Sequence, residues 1–288
     1  MKKWLTVIFI IFSLSNDCSG QSGLYYLKDR IPADPFDELT YLSTGINYLS
    51  DNTYLGRRDS SLLPYLSPYL AYNLHNGLYI KAMVSYALTP NTGHFDLFTL
   101  EAGYDRTLGE HILTGIYLDK YDYQRNSPGI RATIKESGSY YFQYKNELIE
   151  PQVNVTFNDG NSLDYVVGLI ADHNFRFADN TWNIIPAVTV NVGTMQFYND
   201  YFINRLHKAD QNLVVGQVVD NAGSIRPLDI EANVKVSYCS GGWLLNFTPA
   251  YMIPLGQAKI RLPNNVINER LMHSFYAELD ICYRKERK

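Results

Sequence analysis

The sequence predicts an all-β fold: an antiparallel up-and-down transmembrane β-barrel of about twelve strands. Three observations predict it. An apolar segment near the amino terminus is too short to span a bilayer, period-two alternation runs through most of the remaining chain, and the connections alternate between short and long.

The elements follow in chain order. Met1, Lys2 and Lys3 form a basic start, and Trp4 to Phe12 is an apolar run that stops at Ser13. A spanning helix needs about 20 residues, so this segment has the shape of a secretory signal peptide. The expected cut follows Cys18-Ser19-Gly20 and leaves Gln21 first. Lipidation at Cys18 is the rival reading, and Asp17, where a small residue is wanted, disfavours it. Residues 1–20 are therefore assigned to a signal peptide, 21–39 to an N-terminal periplasmic extension and 40–288 to a barrel in the outer membrane. Loss of Lys2, Lys3 and Asp17 leaves 23 basic and 28 acidic side chains. That balance argues against a nucleic-acid partner, and the apolar content argues against a disordered chain.

Alternation then sets the strands. Leu78, Ile80, Ala82, Val84 and Tyr86 alternate with Tyr79, Lys81, Met83 and Ser85, and Ile230, Ala232, Val234 and Val236 alternate with Glu231, Asn233 and Lys235. Such segments are expected near 40–50, 64–75, 77–88, 95–106, 110–120, 135–145, 148–158, 162–173, 181–192, 226–239, 243–255 and 272–284. Their length suits a tilted membrane strand, whereas soluble strands average five or six residues. His75-Asn76-Gly77, Thr107-Leu108-Gly109, Lys145-Asn146-Glu147 and Ser240-Gly241-Gly242 read as tight turns, and Asn158-Asp159-Gly160-Asn161 as a hairpin turn. Residues 51–63, 121–134, 193–225 and 256–271 read as long loops. Outer-membrane barrels have short periplasmic turns and long outer loops.

Tyrosine is abundant, with 24 in the chain. Tyr48, Tyr72, Tyr86, Tyr104, Tyr238, Trp243 and Tyr283 fall near strand ends on the apolar face, where aromatic belts mark the two membrane interfaces. A soluble β-sandwich also alternates, but it gives no reason for tyrosines to gather at strand ends. Val84, Ile116, Val234 and Leu279 are expected to face lipid at mid-height. Placing Leu88 opposite His94 pairs Leu78 with Tyr104, Ile80 with Ala102, and Lys81 with Glu101 on the polar face.

At this point the chain resembles a family of gram-negative outer-membrane β-barrel proteins without a characterised activity. That family carries a Tyr-Leu-Gly-Arg-Lys/Arg-Asp-Ser loop and a Gly-Thr-Gln-x-Phe-Tyr loop. The first reads here Tyr54-Leu55-Gly56-Arg57-Arg58-Asp59-Ser60. The second reads Gly193-Thr194-Met195-Gln196-Phe197-Tyr198, departing by the inserted Met195. Pro249, Tyr251, Pro254 and Tyr283 also match. The resemblance implies a membrane barrel over the whole exported chain and implies no activity.

The candidate chemistry is correspondingly general. Lys81, Glu101, Asp119, Glu231, Lys235, Glu278 and Asp280 are expected to line the lumen, which suits a narrow pore or solute channel. The other reading is a closed barrel acting as an anchor or scaffold through its loops. Arg57 and Arg58 are candidates to meet lipopolysaccharide phosphates, since guanidinium forks suit phosphate, with a solvated loop and a local Arg–Asp59 pair as the simpler alternative. Phe197, Tyr198 and Tyr201 belong to a loop too long for a plain connection. It either folds inward as a plug or stays outside as a binding surface. Residues 256–271 read as an exposed hairpin.

An outer-membrane lipid hydrolase would need a nucleophile within reach of a base and a third group to orient that base. The six histidines show no such grouping in the sequence, so no enzyme is expected. No metal ligand set and no cofactor are expected. Cys239 and Cys282 fall on the inward face with a strand between them, too far apart for a disulfide, so both are expected as free thiols. The expected partners are outer-membrane lipid and lipopolysaccharide, the barrel-assembly machinery, and a small solute or surface glycan.

Overall fold

A computed structural model describes residues 39–58, 62–89, 93–125, 127–209, 218–262 and 265–287. The signal segment and extension expected over residues 1–38 lie outside the described residues, as do Asp59 and Ser60 of the first loop motif.

Twelve strands form the wall: β1 (Tyr41–Leu49), β2 (Tyr65–Asn73), β3 (Leu78–Ala87), β4 (His94–Leu108), β5 (Ile112–Tyr123), β6 (Glu136–Tyr144), β7 (Glu150–Asp159), β8 (Leu163–Asp172), β9 (Trp182–Gly193), β10 (Arg226–Ser240), β11 (Trp243–Pro254) and β12 (Ser274–Glu286). Each pairs antiparallel with the next, and β12 pairs with β1 in the register Thr44–Tyr283, so the sheet closes on itself. Closure leaves no open edge in the wall, which is what a sheet surrounded by hydrocarbon requires. Every expected strand is present, with ends displaced by a few residues.

Alternation places one set of side chains outward. Ile116 is 50% exposed, Leu279 39% and Val234 38%, and Val84 is partly exposed. A continuous apolar outer belt of this kind far exceeds what a water-soluble chain leaves bare; it is a lipid-facing surface. Aromatic pairs border it. Trp182 lies tilted against Tyr238 with ring centroids 4.8 Å apart and Trp243 against Tyr283 at 4.9 Å, both at the short-turn end, while Tyr86 meets Phe95 at 5.4 Å at the other.

The tyrosines divide into two populations, and the interface expectation covers only one. Tyr65, Tyr69, Tyr117, Tyr121, Tyr141 and Tyr276 point inward and are buried. They fill the interior beside small residues. A Cβ at Gly103 would lie 2.4 Å from the Tyr79 ring, so only glycine leaves space for that ring on the adjacent strand.

Register follows the predicted frame over most of β3 and β4. Leu78 faces Tyr104, Ile80 faces Ala102, Lys81 faces Glu101 and Val84 faces Phe98. The anchoring assumption is corrected: His94 lies opposite Ala87, not Leu88, because the register shifts between Ser85 and Tyr86. The extra residue is a β-bulge that leaves both Asp96 and Leu97 buried while Phe95 stays outward.

The longest connection holds a helix that the strand-dominated reading did not anticipate, α1 (Gln196–Ala209). Two small hairpins accompany it at the long-loop end, Thr53–Tyr54 with Arg57–Arg58 and Lys259–Leu262 with Asn265–Asn268. Leu55 and Gly56 both take positive φ, 47° and 79°, the signature of a two-residue hairpin turn of the primed type. At the short-turn end, Phe175–Phe177 adds three residues of pairing to the start of β9, which explains the longer connection there.

Candidate functional site

The interior of the barrel and the loop cap over its long-loop end form one continuous candidate site. All seven nominated lumen residues, Lys81, Glu101, Asp119, Glu231, Lys235, Glu278 and Asp280, are buried inside the wall. They belong to a hydrogen-bonded polar filling. Tyr79 donates to Glu101 Oε1 at 2.6 Å, Ser137 to Asp119 Oδ2 at 3.0 Å, Tyr276 to Glu231 Oε2 at 2.7 Å and Asn47 to Glu278 Oε1 at 2.5 Å. Lys81 Nζ lies 4.8 Å from the centre of the Tyr69 ring, within cation–π range. Further buried acids join them from the same strands and from β7 and β8: Asp96, Asp105, Glu150, Asp164, Asp172 and Asp229. Tyr141 donates to Asp105 at 2.7 Å and Asn191 to Asp229 at 2.8 Å.

The cap has its own apolar core. Met195, Phe197, Tyr198 and Tyr201 pack with Tyr54, Leu55, Ile130, Ile134, Val219, Ala222 and Ala258 from four loops, and with Leu97, Tyr121, Val166 and Leu228 from the strand ends beneath. Phe197, Tyr198 and Tyr201 are thus buried, and the alternative in which they form an outer binding surface is corrected. The aromatic half of the loop folds in.

Arg57 is corrected in the same way. It is 2% exposed, so it cannot meet lipopolysaccharide phosphates; Asp59, its partner in the simpler alternative, lies outside the described residues. Its Nη2 lies 3.0 Å from Glu269 Oε2 and donates to Gly256 O at 2.9 Å, while Nη1 donates to Leu255 O at 3.1 Å and Leu228 O at 3.2 Å. One guanidinium thereby ties two loops to the top of β10. Burial, then the Glu269 carboxylate beside it, push the Tyr198 hydroxyl well above the usual phenol range, so it remains protonated and bonds to Glu269. Arg58 is partly exposed, 4.0 Å from Asp51. The 256–271 loop contains the expected hairpin, yet Glu269 within it is buried. At the hairpin's surface Arg261 Nη2 donates to Asp220 at 2.8 Å, and that bonding holds the Asp220 carboxyl below its usual range.

Two further residues matter that the sequence reading did not nominate. Arg131 sits 4.6 Å from the Tyr54 ring centre and donates to Tyr121 Oη at 3.0 Å. Asp164, at the start of β8, caps α1 from another strand: its carboxylate accepts Gln196 N at 2.6 Å, Phe197 N at 2.5 Å and the Thr194 hydroxyl at 2.6 Å. A carboxylate there satisfies orphan amides and opposes the positive end of the helix. Asp164→Ala is expected to weaken α1 by about 1–3 kcal/mol, the cost of stranding buried amides. Hydrogen exchange of residues 196–201 measures this, and unchanged protection would show that the cap holds without Asp164.

The histidines do not form a nucleophile–base–orienter sequence around Asp96. Ser127 donates to Asp96 Oδ2 at 2.8 Å, Tyr65 donates to the same oxygen, and His94 Nε2 lies 3.3 Å from Oδ1. The carboxylate stands between the serine and the imidazole, so it does not orient His94 as a base for Ser127. Among the described residues, no three His, Cys, Asp or Glu side chains are grouped to hold a metal ion. Cys239 and Cys282 are free thiols, separated by Leu244 of β11, which pairs with both.

No protein-family model matches the sequence, and no curated protein matches it. Solved structures do match in overall shape. One titled KdgM porin is 10% identical with a TM-score of 0.47, covering 83% of this chain and 98% of its own. One titled bacterial polysaccharide outer membrane secretin is 13% identical with a TM-score of 0.44, covering 87% and 99%. LpxR from Salmonella typhimurium is 9% identical with a TM-score of 0.42, covering 83% and 99%.

Proposed function

We propose that this chain is an outer-membrane barrel, exported by its amino-terminal signal and inserted by the barrel-assembly machinery, whose narrow hydrated interior is a solute pathway closed at the outer end by the loop cap. The observation that carries this reading is a set of buried inward polar atoms with no hydrogen-bond partner among the described residues. They include Asp119 Oδ1, Asn154 Oδ1, Asn183 Oδ1, Asn246 Oδ1 and Ser237 Oγ. Buried polar atoms are almost always partnered by protein or water, and a filling meant only to make the barrel rigid would leave few such atoms. Groups of this kind suit a wet lumen.

The second reading is a closed anchor that meets a surface glycan through its loops. The cap favours it, because Phe197 and Arg57 are buried where the loops pack over the strand ends. Arg58 and the exposed side of the 259–268 hairpin are then the groups left to touch a partner or lipopolysaccharide. Planar-bilayer recording separates the two. On the pore reading, full-length protein conducts in small steps and an Arg57→Ala variant conducts in larger or more frequent ones. Silence from both, with folding verified by heat-modifiable gel migration, would leave the anchor.

A further inference from the structure

We propose that the lumen selects cations, and that its solutes are small monovalent or ammonium-bearing species. The inference rests on the pore reading and names its substrate class. Two independent observations carry it.

The first is charge. Eleven buried carboxylates lie on the barrel strands, against three buried bases, Lys81, Lys235 and Arg284. The acids run the length of the barrel. Asp96, Asp164 and Asp229 lie toward the long-loop end, Glu101, Asp119 and Glu231 lie deeper, and Asp105, Glu150 and Asp172 lie toward the short-turn end. A passage lined by one sign of charge and walled by hydrocarbon concentrates the opposite ion.

The second is the chemistry of the unpartnered atoms. Asn191 and Asn246 turn their amide nitrogens to Asp229 and Asp280, at 2.8 and 3.5 Å. A carboxylate only accepts, so each amide must present its nitrogen there and leave its oxygen open. Those oxygens have no partner among the described residues, nor do Asn154 Oδ1, Asn183 Oδ1 and Asp119 Oδ1. Ser237 Oγ, which can donate or accept, is also unpartnered. Unpartnered donors are also present, Asn233 Nδ2 and Asn174 Nδ2 among them, but acceptor oxygens are the more numerous, and acceptors are matched by a metal cation or by N–H donors of an ammonium group. An anion would meet the same oxygens with repulsion. The acids are spread along the passage and not gathered at one point, which favours transit over retention: an ion binds strongly enough to enter and weakly enough to leave.

Reversal potentials across a potassium chloride gradient test this with the full-length protein and with Arg57→Ala. A potential of the sign set by potassium is expected, with about ten-fold preference over chloride, the lower end of what single-signed passages impose on local ion concentration. Asp119→Asn and, separately, Glu231→Gln should each move the potential toward zero. Two variants on different strands guard against misfolding of either, and migration on a gel verifies each barrel. Conduction with a reversal potential at zero, or of the sign set by chloride, overturns the cation inference and leaves the pore. Absence of conduction in every folded protein overturns the pore reading and this inference with it.

Discussion

Replacing Arg57 by alanine is expected to destabilise the loop cap by about 3–5 kcal/mol, because removing one member of a buried ion pair strands the other. Glu269 would remain 7% exposed without its cation, and the carbonyls of Leu228, Leu255 and Gly256 would lose their donor. The loss is confined to the cap: the wall is held by twelve antiparallel ladders that Arg57 does not join. The expected result is a barrel that still migrates as folded while residues 194–209 become sensitive to protease added from the outside. Glu269→Gln keeps a hydrogen-bond acceptor for Arg57 and should cost less. Arg57→Met combined with Glu269→Leu should cost less than Arg57→Ala alone, since no charge is stranded. Wild-type protease resistance in Arg57→Ala would show that the aromatic packing of Phe197, Tyr198 and Tyr201 holds the cap unaided.

The wall was legible in the sequence because one physical demand acts on every strand. Lipid outside and polar groups inside write the same alternation twelve times, and a slip of one residue would expose the polar set to hydrocarbon. That is why Lys81 opposite Glu101 could be read from the chain alone. The bulge at Asp96 was not readable: a residue added to a strand looks like any other until its neighbours are placed. The cap was partly readable. Phe197, Tyr198, Tyr201 and Phe202 recur at helical spacing, but the group that fixes the start of α1 is Asp164, on a strand more than thirty residues earlier. Arg57 was misread for a similar reason. Two adjacent arginines in a polar loop suggest a surface, and the carboxylate that buries one of them lies 212 residues away. The tyrosines defeated a single explanation because the side chain serves two environments, its ring at the lipid interface and its hydroxyl in the polar interior.

Val234→Arg is expected to cost about 2–4 kcal/mol, the penalty for arginine on the lipid face at the bilayer midplane. Val234 lies near the centre of β10, outward, opposite Pro186 of β9. Its outward neighbours along the strand are Ala232 and Val236, so no polar group on that strand is available to the guanidinium at that depth. Asn233 and Lys235 flank it and are buried on the other face. The strand cannot relieve the arginine by slipping one residue, because that would turn Lys235 and Glu231 toward lipid together. Tyr238 provides the control. It sits on the same outward face near the short-turn end, beside Trp182, and Tyr238→Arg should lose only about 0–1 kcal/mol of depth-dependent stability, as arginine does near an interface, plus the packing lost with the ring. Reversible denaturant unfolding of both variants in bilayers gives the comparison. Equal penalties at the two positions would mean that Val234 is not at mid-membrane, and no penalty at Val234 would remove the assigned lipid face.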